Sequence, residues 1–125
     1  AGLATLEILN NGGVIENAAS TLSPRFLQGL EAFADHPIVG EVRGSGMFAA
    51  IELVRDKASR ERLAPESKGA VFCRNVAVSK GLMVRQTGDA MIMAPPLVCS
   101  IEEIDTLLER FGQALDETAA HYSVG

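Results

Sequence analysis

A single arginine, Arg85, stands within an otherwise apolar stretch, "GLMVRQTGDAMIMAPPLV" (residues 81–98). A guanidinium is a planar, permanently charged fork that can hold a carboxylate through two hydrogen bonds, so an isolated arginine can anchor an acidic substrate. The same side chain can instead pair across the turn with Asp89, a surface contact worth at most about 1 kcal/mol. The residues by themselves leave both interpretations open.

Three lysines are the next groups that could carry covalent chemistry. Lys57 lies in a charged stretch, while Lys68 and Lys80 lie at the two ends of a predicted helix. A lysine forms an imine readily when burial or a neighbouring cation lowers its pKa. All three positions predict solvated ammonium groups, so we expect none of these lysines to form an imine.

The histidines and cysteines show no catalytic or metal-binding spacing. His36 precedes a proline in a predicted turn, and His121 lies in a polar tail. Neither has a nucleophile or carboxylate at a suggestive spacing, so we expect no metal site and no nucleophilic triad. Cys73 and Cys99 lie far apart in the sequence, and we expect them to be small apolar groups in a reducing compartment.

Residues 44–49, "GSGMFA", match the dinucleotide-binding pattern G-x-G-x-x-A. That pattern binds a pyrophosphate where a helix begins directly after the glycines. Here the following residues alternate as a strand does, and we expect no cofactor at this position. The glycines are then expected to let two strands approach closely.

The spacing of apolar residues predicts an α+β fold, with a small, mainly antiparallel sheet of three to four strands packed with helices. Ser100 and Glu103 form a predicted capping box at the start of the last helix. Pro24 predicts a kink within the second helix. The predicted helices cover residues 1–10, 14–33, 65–80 and 101–115, and the predicted strands cover residues 39–42, 47–54, 82–86 and 90–94.

Composition excludes several classes of partner. The 125 residues carry a formal net charge of −5, and their basic residues are scattered, which argues against nucleic acid and against anionic membranes. No apolar run approaches the roughly 20 residues that span a bilayer. We therefore expect a soluble protein, and the isolated cysteines favour a cytoplasmic setting.

Three stretches, "VRGSGMFAAIELVRD", "GLMVRQTGDAMIMAPPLV" and "EEIDTLLERFGQAL", together resemble the C-terminal part of class III, fold-type I aminotransferases. The resemblance is to the ω-amino acid or amine:pyruvate branch of these pyridoxal-phosphate enzymes. It implies a small domain that closes over an active site held mainly by a larger domain. It also identifies Arg85 with the family's mobile arginine, which binds the carboxylate of an amino or keto acid and swings aside for an uncharged amine.

The same resemblance implies that the cofactor-binding lysine, the acid beneath the pyridine nitrogen and the phosphate-binding groups lie upstream. We therefore expect residues 1–125 to be one domain and a C-terminal fragment, with residues 1–11 ending an interdomain helix, 12–121 forming the small domain and 122–125 a tail. The parent enzyme would bind pyridoxal phosphate, an amine or ω-amino acid and a keto acid such as pyruvate, as a homodimer. The fragment alone would bind no cofactor and be inactive.

Two other interpretations stay open at this point. The chain could be a free-standing α+β ligand-binding or regulatory module that uses Arg85 as an anion site. It could also belong to a related pyridoxal-phosphate enzyme, an aminomutase or a decarboxylase. The opening helix has no N-cap residue and no acidic first turn, which favours a domain of a longer chain over a free-standing module.

Overall fold

Four antiparallel strands form one sheet in the order β1-β2-β4-β3 in the computed structural model, which describes residues 2–125. The strands are β1 (Val39–Ser45), β2 (Phe48–Leu53), β3 (Arg85–Thr87) and β4 (Ala90–Met93). The α-helices of these residues are α1 (Gly2–Asn11), α2 (Val14–Asn17), α3 (Ser23–Glu31), α4 (Lys68–Ser79) and α5 (Ile101–His121). This architecture confirms the predicted α+β class.

The helices cover one face of the sheet, which we call the inner face. Side chains on a strand alternate between faces, and the inward residues of β2 and β4 are almost fully buried. These inward residues are Ala49, Ile51, Leu53, Met91 and Met93. They join a core whose helical part comes mainly from α3, α4 and α5.

The opposite, outer face of the sheet is not covered by any helix of residues 2–125, and this corrects one sequence expectation. The apolar residues on both sides of β2 predict burial on both faces, yet the Phe48 side chain is 57% exposed. Hydrophobicity of a strand does not say whether a second layer is present in the same chain. The outer face therefore presents large apolar groups to solvent.

The glycines in "GSGMFA" have a structural role in the β1–β2 hairpin, although the closest approach at Gly44 is to helix α3 rather than between two strands. Gly46 adopts a left-handed backbone with φ of 60° in the two-residue turn between Ser45 and Phe48. A side chain at Gly44 would place its Cβ 2.6 Å from Leu27 Cδ2. The segment after the glycines is a strand, so the helix that a pyrophosphate site needs is missing from this position.

The second helical stretch is interrupted at the predicted proline. Residues Ala18–Leu22 form a π-helical turn, and α3 then begins at Ser23 with Pro24 in its first turn. Proline supplies no amide hydrogen to the preceding turn, which explains the wider turn before it. The interruption keeps the buried side chains of Phe26 and Leu30 directed at the core.

Helix α4 begins later than its sequence predicts. Pro65 and Glu66 open only a short 3-10 turn, Pro65–Ser67, and the α-helix starts at Lys68. The backbones of Glu66 and Ser67 are left-handed, with φ of 56° and 59°, and such residues cannot continue a right-handed helix. On the buried side Ala70, Cys73 and Ala77 lie as predicted.

The apolar spacing of this segment also predicts Val78 on the inner side of α4, but its side chain is 54% exposed. Successive residues of an α-helix lie about 100° apart around its axis, so Val78 faces away from the core that Ala77 contacts.

Among residues 2–125, no helix combines the length and apolar character needed to cross a membrane.

Helix α5 begins with the predicted capping box and is joined to α3 by an ion pair. The Glu103 amide donates to Ser100 Oγ at 3.1 Å, and the Ser100 amide donates to the Glu103 carboxylate at 3.0 Å. Arg25 of α3 donates to Asp105 of α5 at 2.7 Å, and this hydrogen bond holds the pKa of Asp105 below its ordinary value. After α5, Val124 packs against the core and its amide donates to the Ala119 carbonyl.

We expect Ser100→Ala to reduce the free energy of unfolding by about 1 kcal/mol, because an N-cap hydroxyl satisfies an otherwise unpaired helix amide. Urea denaturation followed by circular dichroism measures this loss. Ser79→Ala is the matched control, since the Ser79 hydroxyl only bonds the Val76 carbonyl of its own helix. Its loss should stay below about 0.5 kcal/mol; equal losses for the two variants would contradict the capping role.

Candidate functional site

A concavity of about 450 Å³ lies on the outer face of the sheet, and Arg85 lines it. All of the other lining side chains except that of Thr87 are apolar. The remaining lining residues are Phe48, Met83, Val84, Ile92 and Ala94. A concave, mainly apolar surface with a few polar groups is the usual composition of a small-molecule site.

The sheet register places Arg85 on the outer face. Arg85 pairs with Ile92 of β4, and Ile92 pairs with Ala50 of β2. These residues form a row across the outer face that ends at Arg43 of β1, on the opposite edge. Because β3 is an edge strand, Arg85 is reached both from the outer face and from the side of the sheet.

The predicted structural partner of Arg85 is engaged elsewhere. The Asp89 carboxylate accepts a hydrogen bond from Arg62 Nε at 2.8 Å. Arg85 is exposed, and its side chain has no hydrogen bond or ion pair with any of residues 2–125. The interpretation of Arg85 as a cross-turn partner of Asp89 is therefore wrong, and its guanidinium is available to an external anion.

The turn that follows Arg85 is fixed by three contacts that do not involve Arg85. Besides the Arg62 bond, the Asp89 carbonyl accepts from the Leu53 amide at 2.8 Å. Gln86 Nε2 donates to the Gly88 carbonyl at 2.7 Å. The backbone beneath Arg85 is thus held in place while its side chain is left without a protein partner.

The three lysines lie away from this concavity. Lys57 Nζ donates to the Ala34 carbonyl at 2.7 Å, and Lys68 lies 3.6 Å from the Glu66 carboxylate. Lys80 is only 25% exposed, less than its sequence predicts, and it pairs with Glu117 at 3.2 Å. No lysine of residues 2–125 therefore offers the unpaired, desolvated amine that a pyridoxal phosphate site requires.

Each of the two histidines contacts another side chain of the domain, and the sequence did not predict the partner of His36. The Ile38 amide donates to His36 Nδ1 at 3.4 Å, and His36 Nε2 lies 2.9 Å from the Asp116 carboxylate. His121 stacks on Phe72 with ring centroids 4.0 Å apart. Within residues 2–125, no three histidine, cysteine or acidic side chains converge as metal ligands would.

A second concavity, of about 590 Å³, lies between α5 and the loop that follows β4. Its charged lining groups are Glu103, which belongs to the capping box, and Arg110. It is larger than the concavity at Arg85. It lacks the sequence-predicted anchor, so we take the outer-face concavity as the candidate site.

The family is decided by a comparison of the whole chain with known families. Residues 1–115 match the family described as Aminotransferase class-III. The chain belongs to the class III aminotransferase family. This result confirms the resemblance drawn from the three sequence stretches.

Several relatives of this chain have names that state a reaction. A putrescine–pyruvate aminotransferase of Pseudomonas aeruginosa is 41% identical over 118 residues, which cover 94% of this chain and 26% of that protein. A diaminobutyrate–2-oxoglutarate transaminase of Halomonas elongata is 39% identical over 119 residues, or 94% of this chain and 25% of that protein. The chain thus spans about a quarter of the length of these relatives.

Solved structures share the fold of this aminotransferase chain. The omega transaminase of Pseudomonas jessenii in complex with PMP superimposes with a TM-score of 0.90 at 35% identity, over 94% of this chain and 26% of that one. The PMP-bound aminotransferase of Vibrio fluvialis superimposes with a TM-score of 0.89 at 30% identity, over the same shares.

Sequence reasoning located Arg85 but missed the residues that surround it. Thr87 lies two positions further along β3 and therefore on the same face of the sheet, a signal that strand alternation already contains. Phe48 comes from a strand 37 positions earlier in the chain. No local pattern could place Phe48 beside Arg85, because their proximity depends on the β2–β4 and β4–β3 pairings.

Both cysteines of this chain are free thiols. Cys73 is fully buried on α4, and burial raises the pKa of its thiol to about 11, although a hydrogen bond with Thr118 of α5 partly opposes this. Cys99 is half-buried, and both burial and the charge of Glu103 raise the pKa of its thiol.

The buried thiol of Cys73 should make the fold less stable at alkaline pH. An unfolded chain ionises a thiol near pH 8.5, whereas the folded chain holds the proton until about pH 11. The stabilisation is therefore complete below the unfolded pKa and is lost as the pH rises toward the folded pKa. Between about pH 8 and pH 10.5, the free energy of unfolding in urea should fall by about 2 kcal/mol more in the wild type than in Cys73→Ala.

Cys99→Ala is the matched control for this measurement. Because Cys99 is only half-buried, this variant should keep most of the alkaline loss that the wild type shows. Parallel pH profiles for the wild type and Cys73→Ala would show that the Cys73 thiol is not the titrating group.

Proposed function

We propose that this chain is the small C-terminal domain of a pyridoxal-phosphate-dependent aminotransferase, which transfers an amino group between an amine or ω-amino acid and a keto acid such as pyruvate. The observation that carries the proposal is the unpaired guanidinium of Arg85 beside a mostly apolar concavity, in a chain of this family. In the longer enzyme, the bound cofactor supplies the temporary acceptor for the amino group. The role of this domain is to select and hold the substrate.

Arg85 binds the carboxylate of the amino or keto acid. Its guanidinium offers two parallel N–H donors that match the two oxygens of a carboxylate. Since Arg85 has no ion pair within residues 2–125, binding an acid breaks no existing salt bridge. The same freedom lets the guanidinium move aside when an uncharged amine occupies the concavity.

The lining of the concavity favours an acid with one carboxylate. Arg85 is the one charged side chain among its lining residues, and Phe48 and Met83, which are 57% and 92% exposed, supply apolar surface. A second carboxylate on the substrate would meet this apolar surface unless residues outside this chain supplied a partner, and an unpaired charge is costly to desolvate. We therefore propose pyruvate, rather than 2-oxoglutarate, as the type of amino acceptor.

The catalytic lysine and the cofactor site lie outside this chain, and the domain alone is inactive. Support comes from the engaged lysines and from apolar side chains that remain uncovered. Leu3, Leu6 and Ile8 of α1 are 72%, 56% and 61% exposed, respectively. Such a stripe is suited to burial against a larger domain or a second subunit, and we propose that the enzyme is a homodimer. The free thiols fit the reducing cytoplasm.

Arg85→Ala in the full-length enzyme should raise KM for pyruvate by about tenfold to a hundredfold, because a charged hydrogen-bonding pair is lost. KM for an uncharged amine such as 1-phenylethylamine should change less than about threefold, since that substrate has no carboxylate. Steady-state kinetics with each substrate varied in turn measures both values.

Arg43→Ala is the control, because Arg43 also lies on the outer face but at the opposite edge, 3.8 Å from the Glu41 carboxylate. It should leave both KM values within about twofold of wild type. Losses of equal size for pyruvate and for the amine in Arg85→Ala would contradict the carboxylate-binding role.

Borohydride reduction of the full-length enzyme with its cofactor should attach the pyridoxyl group to a lysine outside residues 1–125. Peptide mass spectrometry locates the modified residue, and Lys57, Lys68 and Lys80 should remain unmodified. A stoichiometric adduct on any of these three lysines would show that this chain holds the reacting amine.

A further inference from the structure

Thr87 supplies the second polar side chain of the concavity that Arg85 lines. Arg85 and Thr87 lie two positions apart on β3, so both side chains leave the outer face, with Cα atoms about 7 Å apart. The Thr87 side chain is exposed, and its hydroxyl makes no hydrogen bond within residues 2–125. A hydroxyl and a guanidinium, neither of them bonded within residues 2–125, therefore line the same concavity.

The hairpin does not need this hydroxyl for its own structure. The turn after Thr87 is fixed by the bond from Arg62 to Asp89, the bond from Leu53 to the Asp89 carbonyl and the bond from Gln86 to Gly88. A threonine at a strand end often bonds its own turn, which would occupy the hydroxyl. Here the other contacts hold the turn, and the hydroxyl is directed to the concavity side of the sheet.

We propose that Thr87 is a second carboxylate-binding residue, whose hydroxyl donates to the substrate carboxylate that Arg85 holds. A carboxylate has about four acceptor positions, and a guanidinium fork occupies two of them. The hydroxyl can then donate to a free lone pair without competing with Arg85. This inference rests on the proposed function, and it makes Thr87 a determinant of the preference for keto acids over uncharged amines.

The test uses two substitutions of Thr87 in the full-length enzyme. Thr87→Val keeps the branched shape and the strand preference but removes the hydroxyl, whereas Thr87→Ser keeps the hydroxyl. Thr87→Val should raise KM for pyruvate about tenfold, with kcat within about twofold and with KM for 1-phenylethylamine unchanged. Thr87→Ser should stay within about threefold of wild type for all of these constants.

A matched control and a background variant separate a local effect from a general one. Thr106→Val removes a hydroxyl that bonds the Glu102 carbonyl of its own helix, and it should leave all three constants unchanged. In an Arg85→Ala background, Thr87→Val should raise KM for pyruvate less than about threefold, because the carboxylate is no longer held beside it.

The outcomes distinguish this inference from the proposed function. If Arg85→Ala impairs pyruvate binding and Thr87→Val does not, the inference on Thr87 is wrong and the role of Arg85 stands. If Thr87→Val weakens pyruvate and amine equally, or if Thr87→Ser is as impaired as Thr87→Val, the side-chain shape matters and the hydroxyl does not. If neither Arg85 nor Thr87 affects pyruvate, the proposed function itself fails.

Discussion

Coverage of the sheet on one face only is the constraint on which this structure depends. The inward residues of β2 and β4 pack against helices and are almost fully buried, which anchors the strands. The outward residues of the same strands are left to solvent or to another layer. Burial on one side thus fixes the register, and a fixed register decides which side chains meet on the other side.

Arg85 illustrates how a rigid backbone and a free side chain are combined. The short strand β3 is paired with β4 along its whole length, and the turn between them is fastened to β2 through Asp89. The charge of Asp89 is satisfied by Arg62, which leaves Arg85 without an internal partner. Because Asp89 is already paired with Arg62, an external anion can approach Arg85 without first breaking a contact within the protein.

Local sequence signals predicted the features that depend on neighbouring residues. The capping box at Ser100, the kink at Pro24 and the alternation within β2 were predicted because each is determined within a few positions of the chain. The isolated arginine was found for the same reason. The assignment to the family then followed from three stretches in the correct order.

Features that depend on distant residues could not be predicted in this way. The late start of α4 depends on left-handed residues in the loop before it, and the exposure of Phe48 depends on the absence of a second layer within residues 2–125. The pairing of His36 with Asp116 joins positions 80 residues apart. For the candidate site, the sequence therefore identified Arg85 but not the apolar side chains that surround it.

The alternation along β3 and β4 separates two sets of requirements within residues 85–93. Inward positions such as Met91 and Met93 hold the fold together, while outward positions such as Arg85, Thr87 and Ile92 contact the concavity. An exchange at an outward position leaves the packed interior untouched. Evolution can therefore change the surface of this concavity, one outward residue at a time, with little loss of folding stability.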